Sequence, residues 1–581
     1  MSVLVTRLLL EWSEGFMSAI GVQRCCKASQ DDAEMAGQTV HPEIAKLASL
    51  GSTGRQRSHA TRDLLTWYLK NVYVAETTDI EIPVMDPGTS GVTWVTWPIL
   101  EPHLLISTMA KHYPATFARL TQYVTAFWEE HDLGDPRLFE HPVLGKPRFK
   151  EFAVPVAVHA DGGVWTHDDS LFVVSWGPLA QEGETWDWKF IATVIPKSIM
   201  CKGRHDGIDT LEFISLALNH SWQAAFDGVY PHRNYLGEAW DEDSWEAQVQ
   251  GQALCMGYFL VLMNICGDLD FYSNDIRLPH FNSNAPCWLC RAGRGAEHPA
   301  MNIFDFKPDA GWRGTLAQAP TPMPSDHPFL AGVGVSVFHI ACDWMHNVYL
   351  GVLQHVVGSV LFTIVFPDRH TSAAAAARTL SEVWAVIRSE YGRLSISERI
   401  GRLTLRMFCN VDHPHESYPM MSSLDAAEMR KLLPCIVTVC RRWNSGSDLD
   451  EHRLLCVRNI ADACELIDTD PRLHFTSAQV ELFQSYIDGF LLHYAFLAAS
   501  ASDSGRLLWN LVVKLHFVWH GGQQAAFLHP ALQWNFTFED IVGKASKLAH
   551  SCTHGLRKAR IGQAFFNKCR SLLHIRWTRL A

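Results

Sequence analysis

The most constraining stretch of this 581-residue chain lies between Phe152 and Pro196, where FAVPVAVHADGG, SLFVVSW and WDWKFIATVIP follow one another. Each is rich in Val, Ile, Phe and Trp, and turn residues Gly162, Gly163, Asp168 and Gly183 separate them, so they read as consecutive strands. Strands joined this closely predict an antiparallel meander. A helix over Leu211–Asp227 follows, continued by Asp243–Leu254. The next apolar run, GYFLVLMNICGDLDF, is too β-branched and aromatic for a helix and predicts a fourth strand. A loop-rich tract, Asn282–Gly334, leads into a long helical region from Ile340 to His520. Heptad-like apolar spacing appears there in Met345–Phe366, Ala373–Tyr391, Ala426–Trp443, Leu454–Ile467 and Ala478–Ala499. A further helix is expected over Thr537–Arg560. The pattern predicts an α/β protein whose mixed sheet is interrupted by a large all-α insertion.

Ahead of the strands, residues 1–40 read as a poorly ordered leader and 41–150 as an N-terminal accessory domain. Helices are expected there at Ala60–Val74 and His103–Glu130, extended pieces at Val84–Pro98, and a flexible basic loop at Gly51–Ser58. The remaining divisions are 151–285 and 286–340, then the helical insertion 341–504, then 505–581. Hydrophobic residues at 48% against 19% charged sustain a large core and exclude disorder for most of the length. A formal charge of −12 argues against a chain-wide grip on nucleic acid, so any DNA contact must be local. The segment Ile541–Ala581 offers one, with nine Lys or Arg and no Asp or Glu. Fifteen scattered cysteines, an odd number without framework spacing, fit a reduced intracellular protein. Met1–Leu10 lacks the pattern of a cleavable leader. The longest apolar runs, Ala253–Cys266 and Leu350–Phe366, fall short of the roughly 18 to 20 residues of a bilayer span, so no membrane partner is expected.

Three acids could carry chemistry. Asp161 ends the first predicted strand and precedes Gly162–Gly163, where a metal or phosphate backbone could approach without a Cβ in the way. Its plainer reading is an Asp-Gly hairpin turn. Asp268 follows the fourth strand, with Asp270 two residues on, and either could simply form a turn. Glu539 lies in the first turn of a helix that Thr537 and Asp540 would cap, a place the helix dipole favours for any acid. Separately, Cys287-Trp-Leu-Cys290 is the chain's single C-x-x-C, and His516-Phe-Val-Trp-His520 puts two imidazoles one turn apart on a helix, suiting a tetrahedral zinc. His550 and His554, with Cys552 between them, form a rival pair. Cys287 lies 19 residues after Asp268, and Glu539 lies 19 residues after His520. A zinc held by Cys287, Cys290, His516 and His520 would therefore staple the base of the insertion beside the acids. Asp343-Trp-Met-His346 reads foremost as a buried hydrogen-bonded pair. No P-loop, dinucleotide fingerprint or serine-hydrolase elbow is present.

Strand, strand, strand, helix, strand is the opening order of the ribonuclease H fold. Together these residues resemble the RNase H-like DDE transposases of the CACTA and Transib group, to which the V(D)J recombinase core is related. The shared pattern is an Asp on the first strand (Asp161), an Asp after the fourth (Asp268), a C-x-x-C (Cys287, Cys290), a helical insertion, an H-x-x-x-H (His516, His520) and a final Glu on a helix (Glu539). The Asp343-Trp-Met-His346 element is similar to a D-x-M-H signature of CACTA-type transposases. The resemblance spans Phe152 to His554. It implies DNA cleavage and strand transfer at Asp161, Asp268 and Glu539 with Mg²⁺ or Mn²⁺, a structural Zn²⁺, transposon-end DNA as partner, and a nuclear location. The alternative is a transposon-derived scaffold that keeps the fold without catalysis. Homodimerisation is left open.

Overall fold

The computed structural model of the protein describes residues 2–53, 59–86, 88–89, 91–205, 207–295, 301–317, 323–553 and 557–580. At its centre stands a four-stranded mixed sheet. An antiparallel hairpin, β1 (Thr78–Met85) and β2 (Val92–Ile99), precedes it in the chain. The sheet is built from β3 (Ala153–Thr166), β4 (Asp169–Pro178), β5 (Phe190–Pro196) and β8 (Phe259–Cys266), and a separate two-stranded ribbon, β6 (Lys202–His205) with β7 (Ile208–Asp209), lies between β5 and β8 in the chain. The sheet order is β5-β4-β3-β8, with β3 antiparallel to β4, β4 antiparallel to β5, and β8 parallel to β3. Every residue of β5 and β8 is buried, which explains their unbroken apolar runs: both faces of these strands are covered.

Two sequence expectations change at β3. Asp161 is not a hairpin residue. It pairs with Val173 in mid-strand, and the chain turns only after Thr166. Nor do the glycines open a path for a ligand. A Cβ on Gly163 would stand 2.5 Å from Ser546 Oγ and 2.8 Å from Val542 Cγ1, so this glycine lets the Phe536–His550 helix close onto the strand.

The parallel register of β3 with β8 sets the next level. His159 lies opposite Cys266, so two residues further on each strand Asp161 and Asp268 leave at the same height. Ile340 then bridges Ile265 in parallel, and Ala341 N–H donates to Ile265 O at 3.0 Å, which delivers Asp343 to that same sheet end. From there a 21-residue helix, Met345–Val365, begins with π-helical turns over Met345–Val352. It is long and apolar enough to cross a membrane, with mean hydropathy 1.9, but 89% of that stretch is buried inside the protein. The expectation of an apolar run too short to span missed the residues preceding Leu350. The helices Ala373–Arg393, Ala426–Arg442, Asp448–Thr469 and Ser477–Asp503 complete the helical region, close to their expected bounds.

The N-terminal residues depart most from expectation. Instead of a poorly ordered leader, Val3–Ser13 and Ala19–Met35 are helices capped by Ser2 and Ser18, and they bury Val5, Leu9, Trp12 and Val22. The expected His103–Glu130 helix is three, Pro102–His112, Pro114–Thr121 and Val124–Glu130, because Pro114 cannot continue the first of them. Residues 76–153 dock directly on the sheet: Leu100 N–H donates to Ala192 O, Trp97 Nε1 to Val194 O and Trp128 Nε1 to Ala153 O. Of the expected basic loop, residues 54–58 lie outside the described residues. Its first residues end the short helix Leu50–Thr53. The expected Thr537–Arg560 helix stops at His550, and a second one, Ile561–Leu580, follows.

Candidate functional site

Four donors meet where the helix Lys514–Gln524 crosses the loop after β8. His516 and His520 lie one helical turn apart, and Cys287 and Cys290 face them from the loop. Cys287 Sγ stands 3.3 Å from His520 Nε2, Cys290 Sγ 3.2 Å from His516 Nε2, and the two Nε2 atoms 3.0 Å apart. The bond lengths of a Cys₂His₂ zinc imply ligand separations of roughly 3.3 to 3.8 Å, so a small outward relaxation seats the ion. The backbone N–H groups of Leu289 and Ala292 point at the two sulfurs, at 3.3 and 3.4 Å, as suits thiolates. Trp312 covers His516 edge-on, and Trp288 stacks on Phe517. Cys287 is 8%, His516 0% and His520 2% exposed, and Cys290 is half-buried. The cluster is compatible with a structural zinc. The rival histidine is committed elsewhere, since His550 Nδ1 lies 2.8 Å from Trp165 O, and His554 is outside the described residues.

The second cluster lies at the end of β3 and β8. Donor atoms of His159, Asp161 and Glu539 all fall within 4.8 Å of one another. Glu539 arrives from the Phe536–His550 helix, whose first turn is fixed by Phe538: this ring stacks on His159 and carries Lys189 Nζ 4.4 Å above it. The helix is not capped as expected. Its N-cap is Asn535, and Asp540 pairs with Lys544 at 2.6 Å. Asp268 is not within the tight cluster. It accepts Phe271 N–H at 2.7 Å while its charge acts on both Asp161 and His346. Asp270 is exposed and bonds Asn274 instead.

Two histidines at this site were not read as functional from sequence. His159, fully buried, places Nε2 3.7 Å from Glu539 Oε1, and neither ring nitrogen has a hydrogen-bond partner. His346 does form the expected pair with Asp343, Nδ1 to Oδ2 at 2.5 Å, yet its other nitrogen stands 3.9 Å from Glu539 Oε1. Asp343 also accepts the N–H of Asn535 at 2.9 Å, tying this element to the start of the Glu539 helix. The D-x-x-H spacing was the available signal for His346. For His159 only its position two residues before Asp161, hence on the same strand face, could have served.

The electrostatics follow from this crowding. Burial, then the Glu539 carboxylate, pushes Asp161 up to about 7, and Asp268 adds in the same direction. Burial would raise Glu539 too, but the His159 imidazole and then His346 hold it at about 2. For His346, burial favours the neutral ring, and the Asp343 carboxylate overrides it to raise the imidazole to about 9. Lys514, on the zinc-ligand helix, is drawn down by burial and partly restored by Asp268 and Asp343. Two carboxylates and an imidazole thus share one pocket, with Asp268 acting on Asp161 through its charge.

The basic C-terminal segment is less available than its composition suggested. Lys568, Arg570 and Arg576 are buried, and Arg576 is shared among Glu14, Glu184 and Asp187. Lys558 is bound to Asp169 at 2.7 Å. Lys547, Arg557, Arg560 and Arg579 remain exposed. In comparisons with known proteins, no family model and no curated protein matches this chain.

Proposed function

We propose that this chain is an RNase H-like DDE enzyme, transposase-like in chemistry, that cleaves DNA phosphodiesters and transfers strands. The observation supporting this reading is the Asp161/Glu539 pair at the end of β3, with Asp268, leaving parallel β8, near enough for its charge to act on Asp161. Asp161, Asp268 and Glu539 would hold Mg²⁺ or Mn²⁺, which would supply Lewis acidity for an in-line phosphoryl displacement. The chain's own residues set the stage. Asp161 and Glu539 present oxygens, and His159 and Phe538 fix the Glu539 turn. His346, oriented by Asp343, holds a proton at Nε2 toward the reacting space, while Lys514 offsets the charge of Asp268 and Asp343. In hydrolysis, water oxygen joins phosphorus as the P–O3′ bond breaks, leaving a 3′-hydroxyl and a 5′-phosphate. In transfer, that hydroxyl displaces a 3′-oxygen of target DNA in the same way.

The test is nicking of supercoiled plasmid with Mg²⁺ or Mn²⁺. Wild type nicks, and Asp161→Asn, Asp268→Asn and Glu539→Gln each lower the rate by more than about 100-fold while retaining DNA binding. Retained nicking in all three variants would refute the assignment. A second reading, the catalytically inactive DNA-binding or interaction scaffold, is favoured by the charge of −12 and the burial of three of the basic C-terminal residues. DNA binding with no metal-dependent nicking selects it.

A further inference from the structure

A cavity of about 440 Å³ opens beside Glu539, lined by Asp540, Lys544 and Lys547 of the same helix and by Glu14 and Phe16 from the N-terminus. A larger one, about 1050 Å³, shares Phe16 and Lys547 with it and runs on between the N-terminal helices and the last helix of the chain. The two adjoin at Phe16 and Lys547 and together make a groove that starts beside Glu539. Its charge runs against that of the molecule. The large part is lined by exposed Lys547 and Arg560, by Arg62, which pairs with Asp63, and by buried Lys568, against one lining acid, Asp79, in a protein of charge −12. At the catalytic end the acids are already matched: Glu14 and Glu184 bind Arg576, and Asp540 binds Lys544. Lys547 and Arg560 are exposed and have no carboxylate partner among the described residues. Phe16 stands at the junction with 68% of its surface exposed, and no ring among the described residues stacks on it.

We propose that this groove binds single-stranded DNA, with Phe16 stacking on a base and Lys547 and Arg560 contacting successive phosphates. A cationic track with an interposed aromatic ring is the physical recipe for sequence-tolerant single-strand binding. The inference rests on the DDE reading for the direction of the strand, which passes from the groove to Glu539. It gives the N-terminal helices a role: they are the second wall of the strand's path.

The experiment measures binding of a dye-labelled thymidine oligonucleotide of about 12 residues, without divalent metal, across a salt series. Lys547→Gln/Arg560→Gln should weaken binding at least about tenfold and lower the salt slope by about 0.7 per lost contact. Phe16→Ala should weaken it at least about fivefold and leave the slope unchanged. Arg378→Gln, exposed on a remote helix, should change neither, and melting curves should show all variants folded. Wild-type binding that survives all three groove substitutions, or no single-strand binding at low salt, overturns the proposal. Plasmid nicking, measured in parallel, separates the two claims. Metal-dependent nicking with strand affinity unchanged in the groove variants leaves the DDE reading standing and removes the groove. Strand binding lost in those variants of a protein that never nicks keeps the groove and removes the DDE reading.

Discussion

The Cys287/Cys290/His516/His520 cluster and the Asp161/Asp268/Glu539 pocket are both assembled from residues more than two hundred positions apart, but the protein treats their charges oppositely. Around the first it removes solvent and adds partners. Trp312 meets His516 edge-on and Trp519 meets His520, and two backbone N–H groups face the sulfurs. Around the second it removes solvent only partly, leaving Glu539 with 31% of its side chain exposed, and it leaves like charges facing one another. Burial, then the Glu539 carboxylate, raises Asp161 to about 7, and two histidines compensate without hydrogen-bonding Glu539 Oε1. A closed, satisfied cluster contributes stability. An open, frustrated one stores electrostatic cost that a ligand can relieve.

The widest gap between the two should appear on removing ligands. Cys287→Ser/Cys290→Ser should abolish zinc binding and destabilise the protein by at least about 4 kcal/mol, because the ion's binding energy is folding energy at a site closing so long a loop. Metal analysis and urea unfolding check this, and unchanged zinc content would erase the contrast.

Asp161→Asn should do the reverse. Nicking should fall by more than about 100-fold, whereas the metal-free protein should gain about 1 to 2 kcal/mol at pH 8 as a like charge disappears. The sign carries a pH signature. Because the folded state holds the Asp161 proton up to about 7 while the unfolded chain releases it near 4, metal-free wild type should lose stability as pH rises through that window, then level off. Glu539, held at about 2, works oppositely below about pH 4.5, where its contribution fades as pH falls. A variant with the same pH slope as wild type would show that Asp161 is not the strained group.

Gly163→Ala should cost about 1 to 3 kcal/mol and lower nicking, since the new methyl pushes Val542 and Ser546, and with them the Glu539 helix, off β3. Zinc content should not move. Equal loss of zinc would mean the two regions are one cooperative unit.

The smallest effect expected is that of His346→Gln, about tenfold in nicking rate, with zinc and melting near wild type. Asp343→Asn should match it in rate and also destabilise, because Asp343 accepts the Asn535 N–H as well. If His346→Gln were silent for activity, the pair would be structural only.

What the sequence determined by itself is whatever depends on neighbours in the chain. Runs of Val, Ile and Phe mark strands, a period near 3.6 marks the helices after Ala373, and C-x-x-C with H-x-x-x-H places two donors each on a turn and on a helix face. The three acids, too, were marked by their positions at predicted element ends. Only the tertiary structure decided what depends on which segments meet. Gly163 read as an opening and is a helix contact. Asp540 read as a cap and is a partner of Lys544. Nine basic residues read as one electropositive tail, yet Lys568, Arg570 and Arg576 are spent inside the fold. His159 showed only a shared strand face with Asp161 and His346 only its pairing with Asp343, and neither told that Glu539 would stand within 4 Å. Spacing fixes which face of an element a residue occupies. What lies across from that face is set by sheet register and helix packing, which are properties of the whole chain.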